Sequence, residues 1–296
     1  MQSNISFHEI PHYANASFPY AVFHVNQAGA EPNGRGFGDF HWHDELQFTL
    51  VTNGAIVMQV NGREYPLEQG EGLFINCGLL HAAIRFSQNA EYNSINFPYR
   101  LLCFFENSYM EQQFVLPYIG ERALPTTILR PSCPWQKRLL DLLWECCALY
   151  PQTTLYAREY HLAAKSTQIW QILLEHLAVQ ASAYPRTLSS RQHRIQSMLS
   201  FIHTHYMQDL SLADIAASAN ISQSECCRCF REFLHISPRQ YLIRYRLKQS
   251  LPLLGSQLYS IALISEQCGF YSPSHDIAQF KKQFGLPPGA YRAHLK

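Results

Sequence analysis

Four polar side chains recur at every second position: His41, His43, Glu45 and Gln47. In an extended strand alternate side chains share a face, so this spacing predicts one polar face on one strand, with Trp42 and Phe48 packed on the other. Imidazole, carboxylate and amide groups side by side can bind a small polar effector. They can also hold a metal ion if a compensating ligand is supplied, or simply satisfy one another near a barrel mouth. The spacing alone leaves all three readings open. A second set of reactive groups is the nine cysteines, an odd number without a regular framework, which read as reduced thiols. Among them Cys226, Cys227 and Cys229 lack the paired spacing of a zinc site. They fall in a helical pattern, where cysteine serves as a small hydrophobe.

The polar face needs strands to carry it. From about Phe18 to Asn96 short alternating runs are broken by turn residues, and two Asn-Gly pairs, Asn53-Gly54 and Asn61-Gly62, predict tight hairpins in an antiparallel barrel or sandwich. After Pro98 the pattern becomes helical: Leu101 to Phe105 is a short stretch of it, and Trp135–Tyr150 and Leu155–Val179 are two helices. Leu139, Leu142, Leu143 and Cys146 stripe the first of these, and Leu162, Ile169, Ile172, Leu173 and Leu177 the second. Ser182 to Ser190, with Tyr184-Pro185, reads as a linker.

Beyond the linker the chain is helical and repeats itself. FREFLHISPRQY (Phe230 to Tyr241) and FKKQFGLPPGAY (Phe280 to Tyr291) align at a constant offset of 50 residues, matching Arg231 with Lys281 and Pro238 with Pro288. Upstream, SLADIAASANIS pairs with SIALISEQCGFYS. Ser211…Asp214 and Ser222…Glu225 have the capping-box form, and Ser237-Pro238 and Ser272-Pro273 place proline at the first helical position. Each copy reads as helix, turn, helix: Leu212 to Ala219 buries Leu212, Ile215 and Ala216, while Asn220 and Gly269 supply left-handed turns. The second helix of such a unit fits the DNA major groove. Charge agrees, because residues 186–296 carry 13 Lys+Arg against 6 Asp+Glu, whereas the remainder carries 10 against 16.

On these residues the C-terminal part resembles the AraC/XylS family of bacterial transcription regulators. The resemblance is carried by Gly269-Phe270, Ser272-Pro-Ser274-His275, Phe280-Lys281-Lys282-Gln-Phe284-Gly285, Pro288 and Tyr291-Arg292. It implies that Ser224, Cys227 and Arg228 face bases, with Gln223 and Glu225 nearby and Arg228 the foremost candidate for a bidentate guanine contact. Arg231, Lys281 and Lys282 would position the duplex, and Phe230, Phe280 and Phe284 would be core. In the second unit, base reading would rest on Ser272, Ser274, His275, Ile277 and Ala278. Asp276 stands where the family has an aromatic residue and Ala278 where arginine is common. Pro252, inside the connecting helix, predicts a kink or an early end.

The N-terminal part resembles the cupin-like barrel of such regulators through Gly38…His41-Trp42-His43…Gln47…Gly54 and Gly72…Gly78-Leu-Leu-His81. That likeness adds His81 to the polar face. In metal-binding cupins three histidines and a glutamate hold the ion; here Gln47 occupies the glutamate position, Asn76 and Cys77 replace the usual prolines, and Glu45 is off the usual spacing.

The expected fold is therefore α+β: a cupin-like antiparallel β-barrel with two trailing helices, then an all-α domain of two helix-turn-helix units joined by a long helix. The expected divisions are a sensor at 1–134, a helical pair for dimerisation at 135–181, a linker at 182–190 and a DNA-binding domain at 191–296. The expected function is sequence-specific transcription regulation, controlled by a small effector bound through His41, His43, Glu45, Gln47 and His81. Expected partners are double-stranded promoter DNA, the effector, a second copy of the chain and, as a further candidate, RNA polymerase. No catalytic residue, cofactor or metal is expected, and the absence of a membrane-length apolar run or signal pattern points to the cytoplasm. Two rival readings are a cupin metalloenzyme with an appended helical domain and a regulator that senses oxidants through its cysteines.

Overall fold

The computed structural model describes residues 9, 11, 13–32, 34–119, 124–181, 187–255, 259–270 and 273–294; the side chains at 179–181, 187–189, 273–276 and 294 lie outside the description. Two compact units divide between Ser189 and Ser190.

The first unit begins with strands β1 (Ala21–Asn26), β2 (Gly29–Glu31), β3 (Glu45–Asn53), β4 (Ala55–Val60) and β5 (Arg63–Glu68). It continues with β6 (Gly72–Ile75), β7 (His81–Phe86), β8 (Glu91–Pro98) and β9 (Thr127–Leu129). They form a six-stranded sheet, β2-β1-β8-β3-β6-β9, and a three-stranded sheet, β5-β4-β7, with every pairing antiparallel. Between the sheets lies a core that includes Phe23, Val25, Ile56, Met58, Val60, Leu73, Ile75 and Tyr92. The other face of the larger sheet is buried too. Leu46, Phe48, Leu50, Phe74, Ile95 and Phe97 pack there against helices α2 (Pro134–Leu149) and α3 (Arg158–Ala181). Strand alternation thus sends Gln47 and Thr49 inward and Leu46, Phe48 and Leu50 toward the helices. Phe48 and Trp42 are buried as expected.

Four expectations change. Asn61-Gly62 forms the predicted two-residue hairpin between β4 and β5, with φ of 45° and 82°. Asn53-Gly54 does not. It carries the chain from the six-stranded to the three-stranded sheet, because β3 and β4 pair with different neighbours. Gly54 sits at φ 69°, where a Cβ would lie 3.1 Å from Ala90 Cα and 2.3 Å from Ser87 Oγ, so the corner requires glycine. Next, the helical stretch at Leu101 to Phe105 is only a 3-10 turn over Tyr99–Leu102, with Phe104 and Phe105 exposed. Third, 134/135 is not a packing boundary, since α2 and α3 share one hydrophobic core with the sheet. Fourth, Thr187 to Ser190 of the expected linker start helix α4 (Thr187–His205), while residues 182–186 lie outside the described residues.

The second unit holds α4, α5 (Leu212–Ala217), α6 (Gln223–Leu234), α7 (Pro238–Gly255), α8 (Ile261–Gln267), α9 (Pro273–Phe284) and α10 (Pro288–His294). The repeat seen in the sequence recurs in the backbone. Asn220 (φ 53°) and Gly269 (φ 82°) make the inner turns, and His235 (φ 56°) and Gly285 (φ 79°) end α6 and α9. Ile215, Ala216, Phe230, Phe233 and Tyr241 are buried in the first copy, while Leu212 is half-buried. Ile264, Cys268, Phe270 and Phe280 are buried in the second, with Phe284 and Tyr291 packed against them. Pro252 does not end α7, which continues to Gly255; so close to the C-terminus its ring removes one bond of the last turn rather than breaking the helix.

Candidate DNA interface and effector site

Local chemistry fixes where the first helix-turn-helix begins. Ser211 Oγ accepts from the Asp214 N–H at 3.2 Å, and the Asp214 carboxylate accepts from the Ser211 N–H at 2.9 Å, which completes the capping box. At α6 only half of the box is made. Ser222 Oγ accepts from the Glu225 N–H at 3.2 Å, but the Glu225 carboxylate pairs instead with Arg228 and, at 3.6 Å, with Arg194 of α4. The Arg228 hydrogen bond holds the Glu225 carboxyl below its ordinary range.

On α6, Cys226, Cys229, Phe230, Phe233 and Leu234 are buried, so the opposite face is left to solvent. That face carries Gln223, Ser224, Arg228 and Arg231, all exposed, with Cys227 and Glu225 half-buried at its edge. Ser224, Arg228 and Arg231 follow the helical repeat and form one row. The Arg228 side chain is 59 % exposed. On α9, Ile277, Ala278, Lys281 and Lys282 are exposed. Ser272, and the side chains of Ser274, His275 and Asp276, lie outside the described residues.

Two arginines that the sequence left unassigned turn out to be internal clamps. Arg246 of α7 is 8 % exposed; its Nε donates to Tyr206 O at 2.8 Å and its Nη2 to Gln208 O at 2.7 Å, with the guanidinium over the Phe270 ring. Arg292 of α10 does the same in the second copy, donating to Leu254 O at 3.2 Å and Tyr259 O at 2.9 Å. Each closes the segment that leads into its own unit's first helix.

In the barrel the four alternating residues do not lie on one strand. A bend at Asp44 separates His41 and His43 from β3, and His41 instead forms an isolated bridge to His81 of β7. The bend still brings His41, His43, Glu45, Gln47 and His81 to one place, with His41 and Glu45 at its edge and the other three buried. Gln47 is 3 % exposed and its Oε1 lies 2.9 Å from both His43 Nε2 and His81 Nε2. Nitrogens of His41, His43 and His81 lie within 4.8 Å of one another.

Each ring is held from behind. Backbone carbonyls can only accept, so Nδ1 of His41 donates to Asp39 O at 2.8 Å and Nδ1 of His81 to Leu79 O at 2.7 Å, leaving Nε2 to face the site. His43 Nδ1 faces Glu45 Oε2 at 3.4 Å, a charge contact rather than an aligned hydrogen bond. Tyr13 donates to Glu45 Oε1 at 2.5 Å, and Glu9 Oε2 lies 3.2 Å from His41 Nε2. Glu9 and Tyr13 come from outside any recognisable motif, and nothing in their spacing marked them.

Burial pushes the His81 imidazole well below its ordinary value, with His41 and His43 adding to it, so His81 is neutral. For His43 burial works downward but the Glu45 and Gln47 contacts outweigh it and the value is raised. Burial would lift Glu45, yet the contact with His43 and the hydrogen bond from Tyr13 bring it below the usual carboxylate range. Glu9 is raised by burial. The cavity beside these groups, lined by Glu9, Arg35, His41, Gln47, His81 and Asn96 among others, has a volume of about 20 Å³.

Burial pushes Cys77 and Cys226 up to about 12 and raises Cys229, the opposite of what a reactive thiolate needs.

A barrel enclosing a buried polar site, joined in one chain to a duplicated helix-turn-helix, defines a DNA-binding regulator with a ligand-binding domain. The sequence matches the family model described as an AraC-like ligand binding domain over residues 24–166 and that of a helix-turn-helix domain over 215–294. It is 32% identical over 289 residues to the uncharacterized HTH-type transcriptional regulator YdeC of Bacillus subtilis, covering 96% of this chain and 95% of that one. It is 22% identical to the transcriptional activator RhaS of Klebsiella pneumoniae over 84% of this chain and 85% of that one. The lactose operon transcription activator of Staphylococcus xylosus is 33% identical over 34% of this chain and 36% of its own. The chain belongs to the AraC family of helix-turn-helix transcription regulators. Among the described residues no helix is long and apolar enough to cross a membrane.

Proposed function

We propose that the chain acts as a homodimer that occupies promoter DNA through the exposed row on α6 and changes that occupancy when a ligand enters the barrel site. The single observation that carries this reading is the split of α6 into a buried apolar face and a solvent face bearing Ser224, Arg228 and Arg231. Arg228 reads a base, with Ser224, Cys227 and Gln223 around it. Glu225 sets the Arg228 rotamer. Arg231, Lys281 and Lys282 hold phosphates, and Ile277 and Ala278 contribute apolar contacts from α9. Residues up to 181 sense and residues from 191 bind DNA. The dimer contact falls on the outer side of α2 and α3, where Trp144 and Tyr160 are exposed; RNA polymerase is the further partner at promoters. The chain does no chemistry of its own. Any ligand shifts occupancy only by its differential affinity for the two states.

The test is mapping of bound DNA across the source genome with the full chain, followed by titration of the recovered site. Arg228→Ala weakens specific binding by about 1–3 kcal/mol and relaxes the preference at one position, whereas Lys281→Ala weakens all sequences alike and lowers the salt slope by about 1. An Arg228→Ala protein with unchanged specificity would reduce that residue to a phosphate contact. A full chain indifferent to every promoter fragment at low salt would end the reading.

A further inference from the structure

A two-bond contact to guanine needs the Arg228 fork held in one orientation, and α6 alone does not hold it. Arg228 Nη2 donates to Glu225 Oε2 across one turn of the helix. An isolated ion pair of this spacing, with its arginine largely exposed, is weak and screened by water. The Glu225 carboxylate, however, is not a free surface group. Its Oε1 is buried and accepts no hydrogen bond among the described residues; it faces Arg194 of α4, whose Nη1 lies 3.6 Å away.

A second pair runs beside the first. Arg191, one turn earlier on α4, places its Nη1 3.3 Å from Glu232 Oε2 of α6, so two charge contacts fix α4 along α6. The Arg228 hydrogen bond contributes most to the low Glu225 value, and the charges of Arg191 and Arg194 add to it. Helix α4 is itself anchored by Ile195, Met198, Leu199 and Ile202, all fully buried. Arg194 therefore projects from a fixed backbone toward a carboxylate that would otherwise turn freely.

We infer that Arg194 is a positioning residue for base reading: it holds the Glu225 carboxylate from behind, and Glu225 in turn presents the Arg228 guanidinium to a guanine. The inference deepens the reading of α6 as the DNA-reading helix and rests on it. A guanidinium has five N–H donors, and a guanine edge accepts two of them, at O6 and N7. Glu225 engages Arg228 through Nη2 alone, so carboxylate and base are served together rather than in turn. A side chain already held in place loses less rotamer freedom on binding. That gain is confined to the base pair that Arg228 reads, whereas a phosphate contact from Arg194 would act alike on every sequence.

The experiment measures the affinity of the full chain for its recovered genomic site and for the same duplex changed at the base pair whose preference Arg228→Ala relaxes. Arg194→Gln should lower the ratio of the two affinities about two- to tenfold, the lower part of the couplings found within one ion-pair network, with the salt slope unchanged. In an Arg228→Ala or a Glu225→Gln background the same substitution should leave the ratio where it is. Arg194→Lys keeps a charge that acts across 3.6 Å without an aligned hydrogen bond, so it should restore most of the ratio. The Arg194 side chain is 40 % exposed, so its variants are expected to fold, and their Tm reports on packing separately. An equal loss on both duplexes, with a salt slope lower by about 1, would make Arg194 a phosphate contact. A fall in the ratio that persists without Arg228 would make its role structural. Either result overturns the inference, as does an unchanged ratio in folded Arg194→Gln. If Arg228→Ala itself relaxes no position, the base-reading role of α6 falls and the inference falls with it; if only Arg194→Gln is silent, the base-reading role stands.

Discussion

Arg246 offers the sharpest test of how the DNA-binding unit is held together. Its guanidinium is almost wholly buried, donates to Tyr206 O and Gln208 O at 2.8 and 2.7 Å, and covers Phe270. Replacing it with alanine leaves two carbonyls without their donor and opens a cavity. Hydrogen bonds from a charged donor contribute about 1.5–3 kcal/mol each, and a stranded buried acceptor costs about 1–3 kcal/mol. These terms overlap, because they describe the same bonds from two sides, so Arg246→Ala should destabilise by about 3–5 kcal/mol in all. For a unit of this size that corresponds to a fall in Tm of roughly 10–25 °C. Arg246→Lys retains the charge but not the planar fork, and should lose about half as much. The Arg292 clamp has longer bonds and is only half-buried, so Arg292→Ala should cost less than Arg246→Ala. The assay is thermal unfolding of the full chain, with hydrogen exchange of α5 and α7 amides to assign the transition to this unit, since two units need not melt together. A loss below about 1 kcal/mol for Arg246→Ala, or equal effects of Ala and Lys, would refute the assignment of Arg246 as the clamp.

Two further outcomes follow from local geometry. Gly54→Ala combines φ 69° with a Cβ placed against Ser87 and Ala90, and should cost about 2–4 kcal/mol in urea unfolding; Gly70→Ala, at φ 85° in open space, should cost only about 1 kcal/mol. Equal costs at the two positions would show that the corner has room. At α5, hydrogen bonds from Ser211 hold the Asp214 carboxyl below its ordinary 3.8. A depressed carboxyl stabilises the fold above its unfolded value and loses that contribution as pH falls through the folded one. The capping box is thus complete above about pH 3.8 and fades below it, which an NMR titration of Asp214 checks. Ser211→Ala removes the hydroxyl bond but keeps the backbone one, so it should bring that titration part of the way back toward the ordinary value and cost about 1 kcal/mol at neutral pH.

Much of this was legible because local chemistry repeats. The offset of 50 residues, the serine caps and the turn residues Asn220 and Gly269 each specify a local conformation, and local conformations follow from local sequence. The same reasoning misread Asn53-Gly54. An Asn-Gly pair reports positive φ, which a hairpin and a corner between sheets both need, and which of the two forms depends on strands far away in the chain. The polar site divided in the same way. The alternation His41 to Gln47 gathered the right residues, but the bend at Asp44, the bridge to His81 and the contributions of Glu9 and Tyr13 depend on tertiary pairing that no spacing records. Glu225 had the spacing of a reciprocal cap, but its carboxylate pairs instead with Arg228 one turn on and, at 3.6 Å, with Arg194 of another helix.

One strand ties the sensing chemistry to the helical layer of its unit. Along β3 the inward residues Gln47 and Thr49 are bonded to each other and Gln47 to the histidines, while the outward residues Leu46, Phe48 and Leu50 are fully buried against α2 and α3. Because side chains alternate, the residue that touches His43 and His81 is covalently flanked by two that fill the helix-facing core. A close-packed core transmits small displacements rather than absorbing them. A ligand that displaces Gln47 therefore moves backbone whose other face is packed against the helices proposed for the dimer contact, and the size of that movement limits how strongly the barrel can bias the rest of the chain.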